Sequence, residues 1–499
     1  MVDRLLKAFE SIRNAPLSAD EDTSSKRKER LVACSQMADT VCSPQMRNNS
    51  EFQKLLAVAI AGLLAGCNDP DSDVRIAADE SLNRTITTLI DTHLGRLQVE
   101  LYKTIKKDNV PIRTLRAALS KFSDLAHMVK PLKRRVFVTS LLPSLHRIMK
   151  MPGESIQETL AGCMDKLCSA LGLFFTDSEI QELLSMFVDN MASESVVIRR
   201  TATECAISIC EGSCSPYHYL AKLVNSLFFL TESSQQTDNT DELLGALLGV
   251  RKAMISYQLE RNAPFKQLLD LSSVQRLYDL LMHAMKHEVH NVVTASLEAL
   301  QQLLKVLKRD LLTWFRQPDV CIPCAEALGH MLLSPVKVRV SVRALALSCM
   351  MTAALHEPAT LRHYIGDVGR HVCEIIPTFF GHSDPMLRGN AYQLVGNVIK
   401  GSLEQQGNVF GTVLYRKDPQ PTDYQDDTPV LLLETLCGML ASALLDKTTS
   451  AARQACQAVR TCLTPLLMCT HPLYGVELLN HLLVLGTTDT YWLVKVEIL

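Results

Sequence analysis

His283, His287 and His290 follow one another at steps of four and three, the spacing at which ring nitrogens on one helical face can share a Zn²⁺ ion with a carboxylate. A solvated polar face of an amphipathic helix produces the same spacing. The run His287-Glu288-Val289-His290 is one residue too short for the HExxH zinc helix, so no metal site is assigned. Cys321-Ile322-Pro323-Cys324, with His330 nearby, is a single CxxC pair. A structural zinc site needs a second pair, and two buried thiols at a capped helix start are the better reading. The sequence holds no glycine-rich phosphate loop and no GxSxG elbow. Catalysis has no visible seat, and no cofactor is expected.

Two basic clusters, Lys26-Arg27-Lys28 and Lys133-Arg134-Arg135, have the composition of import signals or phosphate contacts, but solvated surface runs have it too. The global balance favours the second reading. The 51 Lys and Arg nearly cancel the 53 Asp and Glu, leaving a net charge of −2 and no field that would gather nucleic acid. Nucleic acid is therefore not an expected partner. Asn48-Asn49-Ser50 and Asn83-Arg84-Thr85 match the glycosylation sequon by chance, since no secretory signal opens a chain that begins with Asp3, Arg4 and Lys7 among its apolar residues. The longest apolar run, Leu55 to Cys67, is too short for a bilayer span. The 16 cysteines sit in apolar helical stretches, which fits buried thiols in a reducing, cytoplasmic setting.

The opening segment carries a sharper signal. Val2, Leu5, Leu6, Phe9 and Ile12 form one helical face, flanked by Arg4, Lys7 and Arg13. Such a helix can lie in a membrane interface or in a partner's groove, giving weak and reversible attachment. Docking on the chain's own body is the alternative.

That body is repetitive. Between Asn68 and Leu82, NDPDSDVRIAADESL reads as a turn and a new helix. Phe52, Leu55, Leu56, Ala59, Leu63 and Leu64 before it, and Val74, Ala78, Leu82, Ile86 and Leu89 after it, keep a helical period. The apolar-Arg pair opening the second helix, Val74-Arg75, recurs as Ile112-Arg113, Ile198-Arg199, Val342-Arg343, Leu387-Arg388 and Ala452-Arg453. Weaker forms stand at Ile156-Gln157, Val250-Arg251, Val292-Val293 and Val494-Lys495. Successive offsets of 38, 44, 42, 52, 42, 50, 45, 65 and 42 residues predict an all-α HEAT-type solenoid, a curved superhelix of helix pairs. In it Arg75, Arg113, Arg199, Arg343, Arg388 and Arg453 are structural rungs, each aimed at a neighbouring turn's carboxylate or carbonyls.

Residues 1–15 are thus the amphipathic helix, and 16–48 a charged linker and lead-in helix, with Leu17 to Arg30 read as solvated linker. Residues 49–400 are the first HEAT repeats, 401–429 an inserted mobile loop explaining the offset of 65, and 430–499 further repeats. The last repeat reads as incomplete: after the turn-like Thr487 to Thr490, only a few residues follow Trp492. The expectation is that Trp492, Val496, Ile498 and Leu499 lack a full partner layer and that the same solenoid continues beyond residue 499.

The opening VDRLLKAFESIR, and then NNSEFQKLLAVAI, SDVRIAADESLN, RLQVELYKTIKK, LRAALSKFSDLAHMVKP, ESIQETLAG and IRRTATECAISIC in order, resemble the N-terminal region of the huntingtin family. The resemblance implies a large non-catalytic scaffold in vesicle transport on microtubules, autophagy and spindle orientation. Its implied partners are motor adaptors and vesicle and autophagy factors, and its implied place is the cytoplasm, partly on vesicles and partly nuclear. It also implies that Lys7 matches a modified lysine, Ser11 a phosphorylated serine and Cys210 a palmitoylated cysteine, with burial on a repeat helix as the rival reading for Cys210. The family's second phosphorylated serine falls at Asn14, no glutamine or proline-rich tract lies between Arg13 and Lys26, and only TDYQDD at Thr422 to Asp427 stands where the family has a protease-cut stretch. Two other readings share the pattern: a transport-receptor-like or phosphatase-scaffold solenoid, and the regulatory part of a larger membrane-tethered signalling enzyme.

Overall fold

In the computed structural model, residues 2–15, 24–237, 239–259, 269–334, 338–358, 375–404, 433–469, 472–488 and 491–498 are described. Among them the regular structure is helical. The chain divides into two compact units, Met1–Tyr257 and Gln258–Leu499. The first holds α1 (Val2–Arg13), α2 (Ser24–Cys42), α3 (Pro44–Arg47), α4 (Phe52–Gly66), α5 (Ser72–Lys106), α6 (Ile112–Asp124), α7 (Pro131–Met149), α8 (Glu154–Leu171), α9 (Asp177–Met191), α10 (Val196–Gly212), α11 (Pro216–Thr237) and α12 (Thr240–Leu259), the last ending at the boundary. The second holds α13 (Leu271–Ala284), α14 (His290–Val306), α15 (Arg309–Phe315), α16 (Pro318–Leu333), α17 (Val340–His356), α18 (Ile375–Phe380), α19 (Pro385–Glu404), α20 (Leu433–Ala443), α21 (Thr449–Met468), α22 (Leu473–Thr487) and α23 (Trp492–Ile498).

Each unit is a HEAT-type stack. In the first, α2, α5, α6, α8 and α10 pack in succession; in the second, α14, α17, α19, α21 and α23 do. The side chains that join neighbouring repeats repeat the register: Lys121 to Asp79, Lys166 to Asp124, Arg200 to Glu158, Tyr219 to Asp177 and Tyr278 to the Val320 carbonyl are each 42 residues apart. Across the long offset, α19 still packs on α21, with Gln393 Nε2 donating to Gln457 Oε1 at 2.9 Å over 64 residues. Residues 401–404 complete α19, and 405–432, TDYQDD included, lie outside the described residues.

Local chemistry starts these helices where the sequence places turn formers. The Asp71 carboxylate accepts from the Asp73 and Val74 amides to cap α5, Thr176 and Glu179 form a reciprocal capping box on α9, and Ser195 caps α10. The predicted stripes on either side of the first turn, Phe52 to Leu64 and Val74 to Leu89, are buried. Helix α5 is 35 residues long because it runs through a break at His93 (φ −131°, ψ 22°), where one repeat's second helix passes into the next repeat's first.

One boundary differs from the sequence reading. Residues 16–23 lie outside the described residues, but α2 already begins at Ser24, so Lys26 to Arg30 are helix and not solvated linker. The stripe is disguised because its first buried position is Arg30, followed by Ala33, Cys34, Met37, Ala38 and Val41. An arginine can occupy it because a buried carboxylate faces it.

Candidate functional site

The first intra-repeat turn shows how the polar residues are used. Arg30 Nε and Nη2 donate to Asp69 Oδ2 and Oδ1 at 2.8 and 3.1 Å, with side chains 2% and 0% exposed. This fork-to-carboxylate pair is the strong, directional kind. Arg75 Nη1 donates to the Asp69 and Pro70 carbonyls at 2.8 and 2.7 Å, and Arg27 pairs with Asp71 at 3.0 Å and with Asp73. Three arginines from two helices thus hold one acidic turn.

The other rungs vary with register. Arg199, the fourth residue of α10, donates to the Ser193 and Glu194 carbonyls at 2.6 and 3.0 Å and to Asp241 of α12 at 2.7 Å. Arg388, fourth in α19, donates to the His382 and Ser383 carbonyls at 2.6 and 3.3 Å and clamps Asp446 through Nε (2.5 Å) and Nη2 (3.0 Å). Tyr392 Oη also donates to Asp446, at 2.7 Å. Burial pushes the Asp446 carboxyl up, but Arg388, the Thr448 N–H and Tyr392 outweigh it and hold it at about 2. Arg343 reaches the Ser334 carbonyl at 3.1 Å. Arg453, fifth in α21, instead bonds Glu497 of α23 at 2.5 Å and holds that carboxyl below the usual range. Arg113 departs from the ladder expectation. It is only the second residue of α6 and is exposed, a place from which its guanidinium does not reach back to the turn. Arg116, fifth in α6, takes the inter-repeat role and donates to Thr159 at 2.8 Å.

Helix α1 docks on its own body. Leu5, Ala8 and Ile12 are 0%, 4% and 3% exposed, Val2 and Phe9 are half-buried, and α1 packs against α2 and α4. The seat depends on a missing side chain: a Cβ on Gly62 of α4 would lie 2.9 Å from Phe9 Cδ2 and 2.8 Å from Met37 Sδ. Of the face expected to meet a membrane or partner, only Leu6 is exposed, at 42%, so the docked chain cannot present that face. Beside α1 lies an open groove of about 610 Å³ shared with α2, lined by Arg4, Lys7, Ser11, Ser25, Lys28 and Val32. Lys7 is exposed and Ser11 half-buried on its rim.

Other expected sites are structural. Cys210 is 0% exposed in α10, and burial pushes its thiol well up, away from the thiolate needed for acyl transfer. As placed, it is a core residue. His283 lies in the last turn of α13 and His290 begins α14, with His287 in the turn accepting from the Val289 N–H at 3.0 Å. The three therefore do not share one helical face, and no group of three or more potential metal ligands occurs among the described residues. Cys321 and Cys324 are buried in α16, which starts at Pro318. Of the second basic cluster, Arg135 bonds Glu179 at 2.6 and 2.9 Å and holds that carboxyl at about 2, while Arg134 lies over the Phe174 ring. At the other end of the numbering, Leu483, Val484, Trp492 and Val496 are 55–60% exposed on α22 and α23. The buried Arg30–Asp69 pair and the Arg135–Glu179 pair are polar sites that the spacing of residues did not reveal, whereas the Asp446 clamp is the turn carboxylate expected for Arg388.

Two family profiles match the chain: "Huntingtin, N-terminal HEAT 1" over residues 63–215 and "Huntingtin, N-terminal HEAT" over residues 379–499. Huntingtin of Takifugu rubripes is 39% identical over 335 residues, 62% of this chain and 11% of that protein. The HD protein homolog of Dictyostelium discoideum is 21% identical over 99% of this chain and 22% of its own length. The chain therefore spans under a quarter of either relative. Among solved structures, importin beta aligns over 100% of this chain and 62% of its own (TM-score 0.54, 11% identity). Kap121p bound to Ste12p aligns over 97% and 55% (TM-score 0.51, 12% identity). At that identity these likenesses speak of the solenoid fold.

Proposed function

The chain belongs to the huntingtin family, and on that premise we propose that it is a non-catalytic interaction scaffold serving vesicle transport on microtubules, autophagy and spindle orientation. The observation that carries the reading is how its polar chemistry is arranged. Among the described residues the carboxylates held lowest, Glu179 and Asp446, are bound by arginines of adjoining repeats, where they join one repeat to the next. An enzyme places perturbed groups in a pocket around a reacting atom. A scaffold needs instead a rigid array whose outer surfaces remain free for protein segments.

In this reading the partners are motor adaptors and vesicle and autophagy factors, bound in the cytoplasm and in part on vesicles, with a nuclear share. The chain also makes weak, reversible membrane contact through α1. Modification of Lys7 and Ser11, both on the groove rim, is part of the same proposal. The transport-receptor alternative shares the solenoid but not the family blocks at 63–215 and 379–499.

Proximity cross-linking of the chain in cells, read by mass spectrometry, tests the reading. Reproducible cross-links from repeat helices to several transport and autophagy proteins are expected. Recovery of nuclear-import cargo alone, or of no protein above a scrambled-surface control, refutes it.

A further inference from the structure

The surface that α2 and α4 present and the apolar face of α1 cover each other. We propose that α1 is a cis-docked latch: the side chains that seat it on the repeats are the ones it would insert into an anionic membrane, so docking and membrane contact exclude one another. This rests on the reading that α1 meets membranes.

The geometry supports the latch in three ways. Leu5, Ala8 and Ile12, at i, i+3 and i+7, are the most buried residues of α1, and this is the stripe that an interfacial helix places among acyl chains. One stripe cannot face α4 and a bilayer together. The helix is 12 residues long, too short to persist in water without an apolar surface against it, so a released α1 must find another. Finally, Arg4, Lys7 and Lys28 stay exposed while α1 is docked. They can draw the chain to an anionic surface before release, and that first step is screened by salt whereas insertion is not.

The seat is adjustable from both sides, which makes the latch testable without altering the cations. Gly62→Leu fills the space now taken by the edge of Phe9, and it leaves α1 unchanged. Ala8→Leu enlarges a side chain that is 4% exposed on the docked face, at the edge of the groove shared with α2, and makes the free helix more apolar. Each should raise the undocked fraction and, since apparent affinity scales with the competent fraction, raise vesicle binding by about tenfold.

The experiment is flotation of the full chain with phosphatidylserine-containing vesicles at low and high salt, paired with hydrogen exchange of the α1 and α4 amides. Expected are loss of α1 protection in both variants with α4 still protected, a rise in salt-resistant flotation, and loss of α1's docked protection pattern when wild type binds vesicles. Leu5→Asp/Phe9→Asp added to either variant should abolish the gain. If α1 protection falls in Ala8→Leu and flotation does not rise, the latch is refuted. It is refuted equally if wild-type α1 keeps its docked protection on vesicles. If wild type and Leu5→Asp/Phe9→Asp float alike, it is the underlying membrane reading that fails. Gly62→Leu counts only with α4 protected; Ala8→Leu decides the matter should α4 be disturbed.

Discussion

Replacing Arg388 with Met removes one guanidinium that joins two repeats. In the native chain its fork meets Asp446 at 2.5 and 3.0 Å, with side chains 15% and 7% exposed, and its remaining donor holds the His382 and Ser383 carbonyls. Methionine keeps much of the stem's packing but leaves a buried carboxylate with only the Thr448 N–H and the Tyr392 hydroxyl. Breaking one side of a buried pair costs about 3–5 kcal/mol. Because two donors remain, about 3 kcal/mol is expected here. The pH dependence gives a second measure, shared with the Thr448 N–H and the Tyr392 hydroxyl, which also lower the Asp446 carboxyl. A carboxyl held at about 2, below its ordinary range near 4, contributes about 2–3 kcal/mol that is fully present above that ordinary range and is lost as pH falls through about 2. The gap between wild type and Arg388→Met should therefore be widest above about pH 5 and shrink toward pH 2. Two compact units need not unfold together, so the assay is local: hydrogen exchange of α19 and α21 amides as a function of pH. Arg388→Lys should recover only part of the loss, since an ammonium cannot reproduce the fork. A gap below about 0.5 kcal/mol at neutral pH, or one that does not narrow in acid, would refute the reasoning.

Three further outcomes follow from the same contacts. Arg30→Met leaves Asp69, at 0% exposure, with the Asp71 N–H as its remaining donor, so exchange of α1, α2 and the first turn of α5 should accelerate by the equivalent of about 3 kcal/mol; α6–α10 amides serve as the internal reference. Maleimide labelling of the native chain, read by peptide mapping, should reach exposed Cys214 well before buried Cys205 and Cys210, whose thiols are pushed up by burial. Equal rates for Cys210 and Cys214 would restore the lipidation reading. Gly396→Ala should destabilise α19–α21 by about 1–2 kcal/mol in the same exchange assay, because its Cβ would lie 2.6 Å from the Ala458 carbonyl oxygen, outweighing the gain of roughly 1 kcal/mol in helix propensity.

The parts of this fold that were legible in the sequence are those set by period. The stripes from Phe52 and from Val74, the turn between them and the recurrence near 42 residues follow from which side chains avoid water, and the packed layers of each unit use them in that way. Parts set by a partner distant in sequence were not legible. Arg30 reads as a linker charge until Asp69, 39 residues later, is placed against it. Arg388 reads as a rung aimed at some neighbouring turn, and only the fold picks out Asp446, 58 residues later, as the carboxylate it meets. Arg113 carries the repeat signature yet stands two places early in its helix, and a motif of two residues cannot report where a helix starts. The amphipathic face of α1 is the deepest case. Val2, Leu5, Phe9 and Ile12 specify that something apolar must cover the helix, and hydrophobicity alone is non-directional. Whether a bilayer, a partner or α4 provides the cover is decided by the other surface, and on this chain that surface carries a glycine at position 62 where any side chain would meet Phe9. The candidate site is therefore a property of two segments about fifty residues apart, and neither one encodes it alone.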